Sequence, residues 1–245
     1  MLLWIMGFSI LGSVGATSGA ALMLAFPDGI RRTLVPCLIS YATGTLLGAA
    51  FLGMIPAGLR QAPAVAVMST VLAGMVLFFL LEKLVLWRHC HDSECEVHGR
   101  VAPLILIGDA FHNFVDGVVI AAAFLTSIPL GIAASLAVIA HEVPQEVGDF
   151  AILLDSGYGR AKALLLNGLS SAATLPGAVA AYLWLGETRD TVPYILALSA
   201  ASFIYIAAAD LIPGLHRQVS AAASLRQFVL LLMGIGTIAF FRFGH

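Results

Sequence analysis

Long apolar stretches, separated by short groups of polar and turn-forming residues, follow one another along the whole chain. An α-helix of about 20 mainly apolar residues is long enough to cross a bilayer. The first stretch lacks the basic start of a signal peptide and exceeds its usual apolar length, so we interpret it as a retained helix. We therefore predict an all-α integral membrane protein whose eight transmembrane helices, spans 1 to 8, cover residues 2–26, 34–59, 64–87, 102–126, 128–154, 161–185, 192–215 and 228–241.

Composition supports a membrane protein with a single transmembrane domain over residues 1–245. Hydrophobic residues make up 60% of the chain and charged residues 11%, and the mean hydropathy is +0.98. A soluble domain carries about 25% charged residues. The lipid bilayer is therefore the expected surrounding, and no nucleic-acid partner is expected.

Basic residues are distributed unequally between the two sides of the predicted membrane domain. The connections 1–2, 3–4, 5–6 and 7–8 hold nine of them, namely Arg31, Arg32, Lys83, Arg88, Arg100, Arg160, Lys162, Arg217 and Arg226. The opposite side holds three, namely Arg60, Arg189 and Arg242. Because basic loops stay in the cytoplasm, we predict that both termini lie outside, in a multi-pass protein of the plasma (inner) membrane.

Acidic residues lie inside the predicted spans, whereas no lysine or arginine lies deep inside any of them. The acids are Asp109, Asp116, Glu142, Glu146, Asp149 and Asp210. A charged residue at the bilayer centre costs about 2.5–3.5 kcal/mol on insertion scales, and such residues usually mark a functional path. Carboxylates without basic partners must be protonated, hydrated or neutralised by a cation, so we predict a cation pathway.

Spans 4 and 5 each carry a polar stripe, because residues three and four apart share one helix face. The very short turn near Ser127 and Pro129 makes the two spans antiparallel neighbours, and Pro144 frees a backbone carbonyl beside the second stripe. Imidazole, carboxylate and amide ligands suit zinc, ferrous iron, manganese or cadmium better than copper(I). The predicted metal ligands are His112, Asn113, Asp116, His141, Glu142 and Gln145, and the predicted pathway or surrounding residues are Asp109, Glu146, Asp149, Asn167 and Asp210.

The segments His112-Asn113-Phe114-Val115-Asp116-Gly117 and His141 to Phe150 (HEVPQEVGDF) resemble the signature helices of the ZIP (Zrt/Irt-like) divalent metal transporters, particularly their LIV-1-like branch. The resemblance implies import of zinc or a related dication into the cytoplasm through a site between spans 4 and 5. It assigns one metal position to His112, Asp116, His141 and Gln145, and an adjoining one to Asn113, Asp116, Glu142 and Gln145, so that Asp116 and Gln145 bridge.

This chain departs from the family pattern at several positions. Many relatives have His or Glu at the place of Gln145, and members of the LIV-1-like branch commonly have a His and a Glu at Gly53 and Ala57 of span 2. Span 7 has Gly214 where an acid is common, and span 6 offers Asn167 in place of a carboxylate. These differences affect the expected rate and selectivity more than the main site.

Spans 2 and 7 end in similar segments, Met54 to Leu59 (MIPAGL) and Leu211 to Leu215 (LIPGL). The two spans run in opposite directions, as an inverted repeat requires. The family resemblance implies a 3+2+3 arrangement, with spans 1–3 and 6–8 as related halves, and alternating access in which a mobile unit moves the site past a fixed scaffold.

The cytoplasmic loop predicted at 88–101 is rich in metal-binding residue types. We name its candidates for metal capture the loop cluster: His89, Cys90, His91, Cys95 and His98. They lack regular zinc-finger spacing, and a plain connecting loop is an equal alternative.

Two other functions compete with metal transport. His141-Glu142 begins like a zinc-protease motif, but Gln145 stands where the second histidine is required, so an intramembrane zinc-dependent hydrolase is the first rival. A cation-coupled carrier of an organic solute is the second. We predict a transporter that is not an enzyme, with zinc or another divalent cation as substrate, without a cofactor, and with a homodimer as one candidate assembly.

Overall fold

The computed structural model describes residues 1–89, 98–217 and 220–243, and the side chains of these residues except at 28, 85–89 and 98–104. Within these ranges the chain is helical without any strand, and eight helical segments are long and apolar enough to cross a membrane. The predicted all-α, eight-span protein is thereby confirmed. The spans have the bounds Leu2–Ala25, Gly29–Leu59, Ala64–Leu84, Ile105–Thr126, Ile128–Asp155, Arg160–Glu187, Arg189–Leu215 and Ala221–Phe243.

Four spans are uninterrupted α-helices and three contain π-helical turns. The α-helices of spans 3, 4, 5 and 8 are Ala64–His89, His98–Thr126, Ile128–Asp155 and Ala221–Phe243. Span 1 combines Leu2–Ile10, the π-helical turn Leu11–Gly15 and Ala16–Ala25. Span 2 combines Asp28–Gly48, the π-helical Ala49–Met54 and Ile55–Leu59. Span 7 begins with a 3₁₀ turn at Arg189–Thr191 and continues as Val192–Tyr205, the π-helical Ile206–Leu211 and Ile212–Leu215.

Several helix ends differ from their predicted positions. Span 8 begins at Ala221, seven residues before the predicted 228, because Arg226 and its polar neighbours occupy the first turns of the helix. The predicted loop at 88–101 is shorter, since the flanking helices reach His89 and begin again at His98. Span 6 is broken into Arg160–Ser171 and Thr174–Glu187. Pro176 explains the break, because its ring has no N–H for the carbonyl of Ala172.

Spans 2 and 7 share the same irregularity. In each, a π-helical segment of six residues comes directly before an Ile-Pro pair, Ile55-Pro56 in one span and Ile212-Pro213 in the other. A proline leaves the carbonyl four residues earlier without its usual donor, and a wider turn accommodates this change of register. The shared irregularity supports the predicted relation between the two spans.

The helices form two groups that meet at span 5. Spans 1, 4, 5 and 6, the site-bearing group, pack on one another, as do spans 2, 3, 7 and 8, the frame group. Span 4 pairs with span 6 and span 2 with span 8 at glycines, where the backbones approach most closely: Gly117 and Gly177 in the first pair, Gly44 and Gly234 in the second. Under an inverted repeat that relates spans 1–3 to spans 6–8, the pair of spans 2 and 8 corresponds to spans 7 and 3, and the pair of spans 4 and 6 to spans 5 and 1, which also pack together.

Large apolar side chains cover the outside of the bundle, as lipid contact requires. Leu3 is 89% exposed and Val65 is 81% exposed. Toward the end of the molecule that holds the turn between spans 4 and 5, by contrast, buried apolar side chains fill the space between these two spans. Phe124 contacts the aromatic rings of Trp4 and Phe8 and lies against Gly131, where any side chain would overlap its ring. This end of the bundle is closed.

The close contact between spans 2 and 8 can be tested with two glycines of one helix. A Cβ at position 234 would overlap the carbonyl oxygen of Tyr41, whereas a Cβ at position 236 would meet nothing within 4 Å. We expect Gly234→Ala to lower the free energy of unfolding by about 1–3 kcal/mol, the usual cost of overpacking. The thermal midpoint in detergent should fall by about 2–4 °C per kcal/mol. Gly236→Ala should match the parent, and equal midpoints for both variants would contradict the close contact.

Candidate metal centre

Four side chains of spans 4 and 5 converge on one point inside the bundle. His112 and Asp116 lie one turn apart on span 4, and His141 and Glu142 are neighbours on span 5. One ligand atom from each lies within 4.8 Å of the other three. Asp116, His141 and Glu142 are buried and His112 is partly buried. The antiparallel stripes that the sequence predicts do face each other.

Five of the six distances between these atoms are close to the edges of a tetrahedral metal site. His112 Nε2 lies 3.1 Å from His141 Nε2, 3.4 Å from Glu142 Oε1 and 3.8 Å from Asp116 Oδ2. His141 Nε2 lies 3.3 Å from Asp116 Oδ2 and 3.6 Å from Glu142 Oε1. Ligands at about 2.0–2.1 Å from a tetrahedral zinc ion stand about 3.3 Å apart. The four atoms therefore leave space for one dication of this size at their centre.

Backbone and aromatic contacts orient His141. Its Nδ1 lies 2.9 Å from the carbonyl oxygen of Ala137, which can only accept a hydrogen bond. Nδ1 therefore carries the proton, and in the neutral ring Nε2 presents a lone pair to the centre. The ring also meets Phe203 of span 7 edge to face, with centroids 5.9 Å apart. The arrangement presents a metal-binding nitrogen in a fixed direction.

Charge at the centre calls for a cation. Neither carboxylate oxygen of Asp116 or of Glu142 has a hydrogen-bond partner among the described residues. Leaving one buried polar group unsatisfied costs about 1–3 kcal/mol, and more when the group is charged. Two carboxylates with two neutral imidazoles carry a formal charge of −2, which one dication balances.

A layer of amide groups lies next to the centre and holds Asp109. Asn113 Nδ2 donates to Asp109 Oδ1 at 3.1 Å and to the Asp109 carbonyl oxygen at 3.2 Å, and Gln145 Nε2 donates to Asp109 Oδ1 at 3.0 Å. Thr174 Oγ1 of span 6 is 3.0 Å from Asn113 Oδ1. The amide nitrogens thus support a neighbouring carboxylate in this structure. Metal ligation by Asn113 and Gln145 stays a prediction.

Glu146 and Asn167 lie in a separate buried layer between spans 5 and 6. Asn167 Nδ2 donates to the backbone oxygen of Glu146 at 3.1 Å and so ties the two spans together. Both carboxylate oxygens of Glu146 and the side-chain oxygen of Asn167 have no hydrogen-bond partner among the described residues. Neither Glu146 nor Asn167 lines the cavity beside the two histidines.

A cavity of about 550 Å³ leads from the two histidines toward the end where span 4 begins and span 5 finishes. Asp109, Asp149 and Asp210 line it. In the other direction the path is filled by buried apolar side chains of spans 4 and 5, from Val119 to Phe124 and from Leu130 to Val138. The centre is therefore accessible from one end only.

A second cavity of about 490 Å³ reaches His112 from between spans 3, 4 and 7. It contains Glu82, Tyr205 and Asp210, and the Tyr205 hydroxyl donates to a Glu82 carboxylate oxygen. Sequence reasoning did not select Glu82 or Tyr205. Glu82 stands beside Lys83 near the end of span 3, where a charged residue is ordinary. Tyr205 differs from the other aromatic residues of the spans only in its position on span 7, where it faces Glu82 near the end of span 3.

The predicted metal capture by the loop cluster lies outside the described residues. Cys90, His91 and Cys95 fall in the gap between residues 89 and 98, and the side chains at 89 and 98 are likewise not described.

A multi-pass membrane protein with imidazole and carboxylate ligands converging between two spans belongs to the class of membrane metal carriers. Comparison with known proteins makes this specific, because the family model of the ZIP zinc transporters matches residues 87–242. The chain belongs to the ZIP family, as the two motifs predicted. Members of this family are transporters and not enzymes.

Relatives with assigned names are zinc transporters. The chain is 32% identical to zinc transporter ZIP13 of Pongo abelii over 222 residues, which cover 83% of this chain and 66% of that protein. It is 44% identical to zinc transporter ZIP4 of Homo sapiens over 117 residues, or 47% of this chain and 18% of ZIP4. It is 39% identical to zinc transporter foi of Drosophila melanogaster over 144 residues, or 58% of this chain and 20% of foi. The chain therefore spans two thirds or less of each of these relatives.

The four-ligand geometry predicts tight zinc binding that depends on His141. We expect His141→Ala to weaken zinc binding by at least about 100-fold, because loss of a supporting residue alone costs about 10–100-fold in metal affinity. Isothermal titration calorimetry on purified protein, with the loop cluster replaced by alanine in every variant, measures this centre alone. His216→Ala, which removes an exposed histidine at the end of span 7, is the control. Unchanged zinc affinity in His141→Ala would contradict the site.

Proposed function

We propose that this protein transports divalent transition-metal cations across the membrane, with zinc as the preferred substrate. The carrying observation is the buried group of His112, Asp116, His141 and Glu142, whose spacing fits one tetrahedral dication and whose charge one dication balances. Membership of the ZIP family and the names of the relatives support the proposal.

The direction of transport is proposed to be into the cytoplasm. The cavity of about 550 Å³ opens at the end that holds the connections 3–4 and 5–6, which carries most of the basic residues and is the predicted cytoplasmic side. The structure thus corresponds to an inward-open state. In the opposite state the site-bearing group would move against the frame group and open the end that Phe124 now fills, which is alternating access about the metal centre.

Carboxylates beyond the centre are proposed to form the way out. Asp109 and Asp149 line the cavity on the cytoplasmic side of the ligands, and Asp210 faces it from span 7. A dication leaving the centre meets these acids one after another. A carboxylate therefore balances its charge at each stage of the exit. Glu146 and Asn167 are proposed to support the ligand-bearing turn of span 5, since Asn167 binds its backbone.

The two rival functions account less well for this geometry. A hydrolase of the predicted type would place both histidine ligands on one helix, whereas here they come from two spans. A carrier coupled to sodium would favour oxygen ligands, whereas two imidazole nitrogens lie at the centre. Iron, manganese and cadmium fit the same ligand set and are proposed as further substrates. Location in the plasma membrane and assembly as a homodimer stay predictions.

Zinc uptake should depend on Asp116, the carboxylate closest to His141. We expect Asp116→Ala to lower the initial rate of zinc uptake into proteoliposomes at least about tenfold, because hydrogen bonds or ligand contacts of a charged group contribute about 1.5–3 kcal/mol. Asp116→Glu should retain part of the rate, and Asp155→Asn, an exposed acid at the end of span 5, should leave it unchanged. Cadmium, iron or manganese should compete with zinc, and organic solutes should not. Normal uptake by Asp116→Ala would exclude the proposal.

The inward-open state can be tested by cysteine accessibility. Gly148 lines the cavity with open space around it, whereas Ala133 is fully buried on the closed side of the same span. In a protein whose native cysteines are replaced by serine, we expect Gly148→Cys to react with a membrane-impermeant maleimide from the cytoplasmic side and Ala133→Cys to stay unreactive. Zinc should slow the reaction at 148. The assignment is wrong if only the opposite side gives labelling at 148.

A further inference from the structure

The three arginines of the sparsely charged side meet in one cavity. Arg60 follows span 2, Arg189 is the first residue of span 7 and Arg242 lies in the last turn of span 8, so they are far apart in the sequence. All three line a cavity of about 500 Å³ at the closed end of the molecule. They are also the whole set of basic residues that the sequence places on that side. Nothing in the metal pathway requires this convergence.

Among the described residues, no carboxylate lines this cavity beside the three arginines. Its other lining residues are Gln61, Leu125, Thr126, Ser127, Leu185 and Val192. Arg242 Nε is buried and has no hydrogen-bond partner among the described residues. Arg60 and Arg242 line the same cavity. Like charges held together at reduced dielectric repel, so the cavity is poised to receive an anion.

Two helix starts lie at the cavity, together with the C-terminal ends of the helices of spans 2, 4, 6 and 8, whose partial negative charge opposes theirs. Span 5 begins at this cavity, where the Ser127 hydroxyl accepts a hydrogen bond from the Leu130 N–H at 3.3 Å. The α-helix of span 7 also begins here, at Val192. Each helix start carries partial positive charge from its unpaired N–H groups. Two helix starts and three guanidinium groups therefore face one space.

We propose that this cavity binds a phosphate-type oxyanion, held by the guanidinium groups of Arg60, Arg189 and Arg242. Planar guanidinium groups present paired donors that match the oxygens of a phosphate group. The group can come from the headgroup of a lipid in the surrounding leaflet or from free phosphate in solution, and the chemistry of the two is the same.

The position of the site allows a bound anion to shift the conformational equilibrium of the protein. Leu125, Thr126, Ser127 and Leu185 belong to the site-bearing group, whereas Arg60, Arg189 and Arg242 belong to the frame group. An anion at this place bridges the two groups at the end that is closed when the metal cavity is open. It therefore stabilises the inward-open state, since a ligand shifts a conformational equilibrium toward the state that it contacts better.

The experiment measures the thermal midpoint of the whole purified protein in dodecyl maltoside, which carries no phosphate. One arm adds sodium phosphate, with sodium chloride at equal ionic strength as reference. A second arm adds phosphatidylglycerol to the micelles at constant ionic strength, with an uncharged diacylglycerol as reference. We expect a saturable rise of the midpoint in at least one arm. A rise with phosphate identifies the free ion as sufficient, and a rise with the lipid alone identifies a headgroup.

Variants assign the effect to the cavity. Arg189→Gln and Arg242→Gln should each raise the half-saturating concentration about tenfold, because a hydrogen bond to a charged group contributes about 1.5–3 kcal/mol. Arg226→Gln, near the other end of the span 8 helix, should match the parent. Each half-saturating concentration is measured from the variant's own midpoint without anion, and Arg189 is exposed, so Arg189→Gln keeps the test valid if Arg242→Gln folds poorly. No rise in either arm, or equal half-saturation in Arg189→Gln and the parent, would overturn the proposal. Because zinc transport is not measured, failure here leaves the proposed function untouched.

Discussion

The cost of carboxylates inside a membrane is the constraint on which the rest of the structure depends. Asp116 and Glu142 are buried, and their oxygens lack hydrogen-bond donors among the described residues. The bilayer core holds no water that could hydrogen-bond these oxygens. The two acids are therefore stable only with protons or with a cation. The two Nε2 atoms that face each other at 3.1 Å add lone pairs to the same point. Such a site is more stable with a bound dication than when it is empty. Protons on the two carboxylates can replace the dication when it leaves. That balance allows a carrier to take up and release its ion.

The irregular helices put these ligands in place. Span 4 approaches span 6 through Gly117 and Gly177 closely enough for Thr174 to reach the Asn113 amide. The break in span 6 before Thr174 lies at the same level as this contact. The break therefore accommodates Pro176 and also brings Thr174 to the site. The frame group has its own π-helical segments at equivalent places in spans 2 and 7. A bundle whose two helix groups meet along shared surfaces, each internally tied by glycine contacts, is suited to movement of one group against the other.

Much of this arrangement could be predicted from the sequence. Helical periodicity placed His112 and Asp116 on one face and His141 and Glu142 on another, and the short turn at Ser127 made the faces opposite. Periodicity cannot tell which side chain points to a shared centre and which to a neighbour. Asn113 and Gln145 have ligand chemistry, but in this structure their amide nitrogens bind Asp109. Glu82 and Tyr205 meet across 123 residues, and such a contact follows from tertiary packing that no local pattern records. The helix break at Pro176 and the π-helical turns likewise depend on which carbonyls the prolines leave unpaired.

The two ends of the molecule have opposite electrostatic character, and this asymmetry bears on the transport cycle. Acids line the open cavity, whereas three arginines are brought together at the closed end. Closing that end covers the three arginines of the frame group with the site-bearing group and withdraws them from water, so their mutual repulsion favours opening in the absence of an anion. Opening it exposes the arginines to water, which screens their charge from an approaching cation. An oxyanion that neutralises the arginines removes this repulsion and holds the end closed. On the roles proposed for the two sites, the metal at the centre and the charge balance at the arginine cavity together set the equilibrium between the two states.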